Sequence, residues 1–400
     1  QKLILISPNL PLLPVKFYRG GYHSLQPFLE TASMQKPTFL ISLRRLTVVI
    51  IALVSFVPIA YAENYRLDVL AEDLDYPWSL DFLPNGDLLL TELSGSLRHL
   101  SKDGDLSAPI ANVPEVFRAS QGGLFDVLVD PNFSQNQRIF LSYAEGDANS
   151  NQTTVASAKL LDNQLQDVQV IFAASPTKYA PLHYGGRLAW MPDGTLLLAT
   201  GDGFDFREQA QNLDAHFGKM LRMNADGSAP ADNPFADHPL VYSYGHRNPQ
   251  GLAIASDGTI YEHEHGPKGG DEVNIITPGS NYGWPITTHG LDYNGAYVSP
   301  FKTRDGINTS AHIWTPSIAP SGLALYESDV FPSWANSLFV GALVSKDVRR
   351  LSLRNGKVVD EEVLFSELTS RIRDIRSGPD GFLYIITDGS AGKVVRVSPQ

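Results

Sequence analysis

The 400-residue chain contains no cysteine. No disulfide can contribute to its stability, so closure of the fold and bound metal must do more. Basic residues are in the minority: 31 Lys and Arg against 43 Asp and Glu give a formal charge of −12. Nothing here neutralises a run of phosphates, which argues against nucleic acid as a partner, and no basic stretch suits a membrane surface. Neither a dinucleotide-binding nor a Walker glycine pattern is present, and after Glu63 there is no low-complexity segment or linker. Helical periodicity is also missing, apart from a possible turn or two between Gln209 and Arg222.

What is present is a repeat. Six times a short apolar segment runs into a turn built on Pro, Asn, Asp or Gly and returns as a second apolar segment. The copies are Ser79 to Glu92, Asp126 to Tyr143, Arg187 to Thr200, Gly251 to Glu264, Gly322 to Leu343 and Arg373 to Asp388. Each reads as a β-hairpin. A hairpin recurring roughly every 50 to 70 residues cannot bury both faces alone, which predicts a repeat architecture. The expected fold is all-β, a six-bladed β-propeller with four-stranded antiparallel blades, spanning 63–400 as one domain.

The N-terminal part reads differently. Residues 1–33 show no sustained periodicity and are expected to be a non-native upstream extension. Met34 is followed by Lys36, Arg44 and Arg45, the apolar run Leu46 to Ala60, and Ala60-Tyr61-Ala62. That pattern predicts a signal peptide over 34–62, cleaved after Ala62, and a periplasmic or secreted product. The apolar run is short for a membrane span, so no stable span is expected after cleavage.

Long insertions after Thr200 and Glu264, rich in Gly, Pro, Asn and Asp, are the places to seek function. His183 stands in LHYGGRLAW at a strand entry, with two glycines leaving room around its ring. Asp202, in LLLATGDG, ends the return strand of the same hairpin. A carboxylate beside an imidazole makes it a better general base, although either residue alone reads equally well as an ordinary loop residue. Arg247 and Asn248 in YGHRNPQGL offer a planar cation suited to a carboxylate or oxyanion, or to backbone carbonyls. In EHGPKGGDEVNII, the carbonyls of Gly266 and Pro267 with the carboxylates of Asp271 and Glu272 suit Ca²⁺. His263-Glu264-His265 lacks the spacing of a zinc-protease helix. Arg371 and Arg373 fall on one face of an extended segment, where they repel unless an anion lies between them.

In this order HYGGRL, GDG, GKMLRMNADGS, GHRNPQGL, EHGPKGGDEVN, NYGWP and RIRD followed by PDGFLY resemble the soluble quinoprotein sugar dehydrogenases, over about Tyr65 to Ser398. The short loops between blades resemble the aldose sugar dehydrogenase branch more than the glucose dehydrogenase branch. The resemblance implies a propeller binding pyrroloquinoline quinone (PQQ) and Ca²⁺ that oxidises the anomeric C–OH of aldoses to lactones and passes electrons to an external quinone or redox protein. It implies His183 as base, Asp202 as its orienting partner and Arg247 as oxyanion stabiliser. Gln121 and Asn248 would contact cofactor or sugar. Tyr293, Lys346, Arg371 and Arg373 would hold the cofactor, with Arg349 or Arg350 able to replace Lys346 if the register shifts by one. Gly266 and Pro267 would bind one Ca²⁺, and Glu272 and Tyr282 a second, structural one. Asp205 and Arg207 receive no role. A monomer or homodimer is expected. The alternatives are a Ca²⁺-dependent propeller hydrolase of lactonase type, which would gather more Asp, Asn and Glu at the axis, and a non-catalytic binding propeller.

Overall fold

The computed structural model describes residues 63–400. The expected extension over 1–33 and signal peptide over 34–62 lie outside the described residues. No helix among those described is long and apolar enough to cross a membrane.

The strands run in chain order from β1 (Tyr65–Leu74) into six antiparallel sheets. Blade 1 holds β2 (Pro77–Phe82), β3 (Leu88–Glu92) and β4 (Leu97–Leu100). Blade 2 holds β5 (Leu124–Val129), β6 (Arg138–Gly146), β7 (Asn151–Leu161) and β8 (Gln164–Ala173). Blade 3 is β9 (Gly185–Trp190), β10 (Leu196–Thr200), β11 (Lys219–Met223) and β12 (Val241–Tyr244). In blade 4 come β13 (Pro249–Ile254), β14 (Ile260–Glu264), β15 (Asp271–Ile276) and β16 (His312–Trp314). Blade 5 contains β17 (Pro320–Tyr326), β18 (Ser337–Ala342), β19 (Val348–Arg354) and β20 (Lys357–Leu364). Blade 6 contains β21 (Ile372–Ser377), β22 (Leu383–Thr387) and β23 (Gly392–Pro399), and β1 pairs with β23 as its outermost strand. The innermost strands β2, β5, β9, β13, β17 and β21 contact one another in sequence and close the ring at β2. This is the expected six-bladed propeller.

All six sequence hairpins are the two inner strands of a blade. Five blades have four strands, and blade 1 has three. After β4 the chain carries Pro109 and Pro114, which cannot donate to a ladder, and makes only isolated bridges, from Leu106 back to Leu100 and from Ala111 to Gln164 of β8.

The core explains why the hairpins are continuously apolar rather than alternating. Each blade is covered on both faces, so every residue of β3 and β10 is buried. Six clusters of buried side chains lie between neighbouring blades, one at each junction, Leu80 and Ile386 closing the last of them between blades 6 and 1. Gly186 on β9 shows how tight this packing is. It has φ +99°, and a Cβ there would stand 2.8 Å from the Phe125 ring.

The axis is filled by charge. Arg187 on β9, 1% exposed, has Nη1 3.2 Å from Asp374 of β21 and 3.9 Å from Asp126 of β5. Its guanidinium lies 4.0 Å from the Trp78 ring centroid, and Nε donates to the Gln250 carbonyl at 2.7 Å. Arg376 pairs with the same two aspartates, at 3.1 Å each. Two cations against two carboxylates make a neutral buried network that ties three blades together.

Candidate active site

Four return strands end in or just before an acid at the same end of the propeller: Glu92 in β3, Asp202 after β10, Glu264 in β14 and Asp388 after β22. The long insertions open at this end, and the sequence-predicted residues converge there.

His183 is buried and held at φ 51°. Its backbone N–H donates to Gln121 Oε1 at 2.8 Å, and its Nδ1 is 2.7 Å from Asp202 Oδ1. That pairing leaves Nε2 as the nitrogen free to act on a ligand. Asp202 is fixed in turn: Oδ2 accepts from Trp284 Nε1 at 2.7 Å, Oδ1 accepts from the Phe204 N–H at 2.8 Å, and its own N–H donates to the Arg247 carbonyl at 2.7 Å. Burial pushes the His183 imidazole below its ordinary range; Asp202 opposes this, while the charges of Arg247 and Lys178 add to it. The ring is therefore neutral at neutral pH, the form a proton acceptor needs.

Arg247 comes from the turn between β12 and β13 and is also buried. Nη1 donates to the carbonyls of His265 at 3.0 Å and Gly266 at 2.8 Å, and Nη2 reaches the Tyr293 hydroxyl at 3.4 Å. Its Nε has no partner. The backbone N–H groups of Arg247 and Asn248 both donate to Glu264 Oε2, which fixes this turn against β14.

Two cavities of about 330 Å³ each are lined by chain neighbours, His183 and Arg247 in the first and Tyr184 and Asn248 in the second. The first is lined by His183, Asp202, Arg247, Pro267, Trp284 and Tyr293, with Phe204, Asp205, Arg207 and Asp292 towards its mouth. The second is lined by Gln121, Asn248, Arg371 and Arg373, together with Trp78, Arg118, His265 and Asp388. A third void, about 10 Å³ and so of single-ion size, lies among Glu264, Glu272, Tyr282, Thr287 and Thr288.

The structure thus brings most of the expected residues together. Lys346 sits exposed at φ 59° on a turn whose Leu343 and Val344 line the second cavity, but its own side chain is not part of the lining. Arg349 and Arg350, the alternatives one register away, are paired with Asp347 and Glu361 and with Glu362. The anion expected between Arg371 and Arg373 is already supplied by Asp388, whose Oδ2 is 2.8 Å from Arg371 and Oδ1 3.2 Å from Arg373. Burial alone would raise the Asp388 pKa, but the two arginines hold it below the usual carboxylate range. The Tyr282 hydroxyl donates to the Ile275 carbonyl at 2.6 Å and accepts from the Thr277 N–H at 2.8 Å, leaving its backbone carbonyl to offer a cation.

Three residues escaped the sequence reading. Trp284 was visible in NYGWP but had no role until its N–H met Asp202. Asp388 could have been found by noticing that it ends its return strand as Asp202 and Glu264 do. Lys178 carries no sequence signal, because its importance comes from burial.

The fold and these loops define a class of propeller enzyme acting on sugars. Residues 74–396 match the family described as Glucose / Sorbosone dehydrogenase, and the chain belongs to it. It is 41% identical over 346 residues to the aldose sugar dehydrogenase YliI of Escherichia coli K12, covering 84% of this chain and 93% of that one. The apo-form crystal structure of the soluble aldose sugar dehydrogenase from Escherichia coli matches with TM-score 0.81 and 41% identity, over 84% of this chain and 100% of the other. The PQQ-bound aldose sugar dehydrogenase from Streptomyces coelicolor matches with TM-score 0.69 and 27% identity, over 85% and 99%.

Proposed function

We propose that the protein is a PQQ-dependent aldose sugar dehydrogenase that oxidises the anomeric C–OH of aldoses to lactones. The observation that carries this reading is the His183–Asp202 pair, at 2.7 Å, in a polar cavity, with chain neighbours of His183 and Arg247 lining a second cavity that holds three arginines.

The residues present fit the cofactor. PQQ carries three carboxylates, and Arg118, Arg371 and Arg373 face one cavity with Asp388 as the one carboxylate among its lining. The unpartnered Nε of Arg247 and the side chains of Gln121, Asn248 and Tyr293 complete the polar frame. For Ca²⁺ near the cofactor, Pro267 lines the first cavity, while the Gly266 carbonyl is shared with Arg247, so a cation there competes with the guanidinium. For a structural Ca²⁺, Glu272 and Tyr282 border the ion-sized void. Burial first, and then Glu264, push the Glu272 carboxyl up to about 8, a conflict that a cation would resolve.

The chemistry PQQ would supply when bound is that of an acceptor for the hydride leaving the anomeric carbon. His183 takes the hydroxyl proton at Nε2, and Asp202 stabilises the imidazolium that forms and holds its tautomer. Trp284 and the Phe204 N–H keep Asp202 in place. Arg247 lies where it can stabilise developing negative charge. Loss of a proton and a hydride leaves the lactone. The electrons then pass to an external acceptor, a quinone or redox protein, in a periplasmic or secreted setting.

The test is titration of the protein over residues 63–400 with PQQ in Ca²⁺ buffer, then addition of an aldose while absorbance and dye reduction are followed. Saturable binding with sugar-dependent reduction is expected. No binding removes the quinoprotein reading; binding without turnover on any aldose removes the dehydrogenase reading.

A further inference from the structure

Beside the sugar cavity, blade 4 buries acids that nothing balances. In the pairing of β14 with β15, Glu264 faces Glu272 and Glu262 faces Asn274, so three carboxylates crowd one face of the sheet. No Lys or Arg side chain among the described residues pairs with any of them. Arg247 is adjacent in space, but its guanidinium is committed to the His265 and Gly266 carbonyls. Into this group projects His246, fully buried and stacked on the Tyr282 ring at 4.8 Å. Its Nε2 is 2.9 Å from Ser243 Oγ, while Nδ1 has no hydrogen-bond partner and lies 3.8 Å from Glu264 Oε1. Glu262 Oε2 accepts from Asn274 Nδ2 at 3.1 Å, and its Oε1 is also without a partner.

We propose that His246 Nδ1, Glu262 and Glu264 form a divalent-cation site that adjoins the void at Glu272 and Tyr282 and shares Glu264 with its lining. The three ligand atoms lie within 4.8 Å of one another, while one ion bonded at about 2.0–2.2 Å spans at most about 4.4 Å, so the side chains need draw in by no more than about half an ångström to hold it. A cation there satisfies both orphaned atoms and neutralises two buried carboxylates at once. One imidazole nitrogen with two carboxylate oxygens suits Zn²⁺ or Mn²⁺ better than Ca²⁺, which prefers oxygen alone. Ser243, accepting from Nε2–H, fixes the tautomer that presents Nδ1 as a ligand. The site also touches the chemistry: Glu264 holds with its other oxygen the N–H groups of Arg247 and Asn248. A metal on Glu264 would therefore anchor the turn that carries Arg247.

The test is refolding of the full chain from denaturant in EDTA, or with Mn²⁺, Zn²⁺ or Ca²⁺, followed by gel filtration and elemental analysis. Wild type and Glu272→Gln are expected to retain one equivalent of Mn²⁺ or Zn²⁺ and to melt about 3 °C or more above the EDTA-refolded protein. Glu262→Gln is expected to lose both. If these two variants swap behaviour, the ion belongs at Glu272 and the proposal fails. If wild type retains no transition metal, or if Glu262→Gln melts as high as loaded wild type regardless of metal, a proton rather than a cation balances the cluster. Should Glu262→Gln not fold, Mn²⁺-loaded wild type still decides: nitrogen hyperfine coupling from one histidine is expected, and an all-oxygen spectrum overturns the assignment.

Discussion

The Lys178 ammonium lies 3.4 Å from the centroid of the Tyr184 ring, on the chain segment that carries His183 between them. Lys178 is buried, and Nζ donates to the Ala180 carbonyl at 2.5 Å and the Leu182 carbonyl at 2.8 Å. It braces the backbone immediately before the His183 imidazole, the base of the proposed mechanism. Burial lowers its pKa to about 7, with Asp202 pulling the other way. Lys178→Met is expected to lower kcat by about tenfold to a hundredfold, with less effect on KM. It also removes a positive charge that depresses the His183 pKa, so the acid limb of kcat/KM should move to higher pH. A variant that loses stability but keeps the wild-type pH profile shows that Lys178 is only a structural brace.

His183→Ala should reduce turnover by a factor on the order of 10² or more while PQQ still binds, checked by steady-state kinetics beside a cofactor titration. Turnover equal to wild type removes His183 from the mechanism.

The wild-type pH profile follows from the same residue. The proposed mechanism needs the neutral imidazole, and burial holds its pKa below the ordinary value of about 6.5. kcat/KM should therefore stay flat as pH falls through about 6.5 and decline only below it. Stability has the matching sign. The unfolded chain takes this proton near 6.5 while the folded one refuses it, so this contribution is present above about 6.5 and lost as pH falls below. Kinetics and thermal melts across pH 5 to 8 check both; a kcat/KM midpoint above about 6.5 contradicts the assignment.

Asp388→Asn leaves Arg371 and Arg373 side by side without an anion. The protein without cofactor should melt lower, while the rise in melting temperature on adding PQQ should grow, because a competing carboxylate is gone. Melting curves with and without PQQ test this, and a smaller rise than in wild type counts against anion binding between these arginines.

Chelation should abolish activity and lower the melting temperature, since Glu264 and Glu272 would be left adjacent in β14 and β15 with no counter-ion. Identical melts with and without EDTA, on protein shown by elemental analysis to have carried Ca²⁺, remove the structural ion.

The hairpins were legible because blade packing demands apolar residues on both faces of the inner strands, and their turns need residues that accept unusual backbone angles. Outer strands were not. β8 and β20 carry mixed sequences such as QLQDVQVIFA and KVVDEEVL, half exposed and without a clear pattern. The shortened first blade depended on two prolines whose effect is clear only once a partner strand is known. At the site, short motifs marked His183, Asp202 and Arg247. A partner contributed from another blade was out of reach: Trp284 stands 82 residues from Asp202 and meets it only because blades 3 and 4 pack side by side. Asp388 lies in the same hairpin as Arg373, and only the pairing of β21 with β22 shows that it faces the two arginines.

That ring is fastened by its two ends. β1 begins at Tyr65 and pairs with β23 as far as Pro399, so the earliest strand of the propeller finds its neighbour only when nearly the whole chain exists. During synthesis the first blades can form locally, but the circle stays open and β1 lacks its neighbour until β23 emerges. A pocket assembled from loops of several blades cannot take its ligand before then. Loading of the proposed active centre is therefore a step that follows synthesis of β23, and loss of β1 or β23 should open the ring at the seam between its last blade and its first.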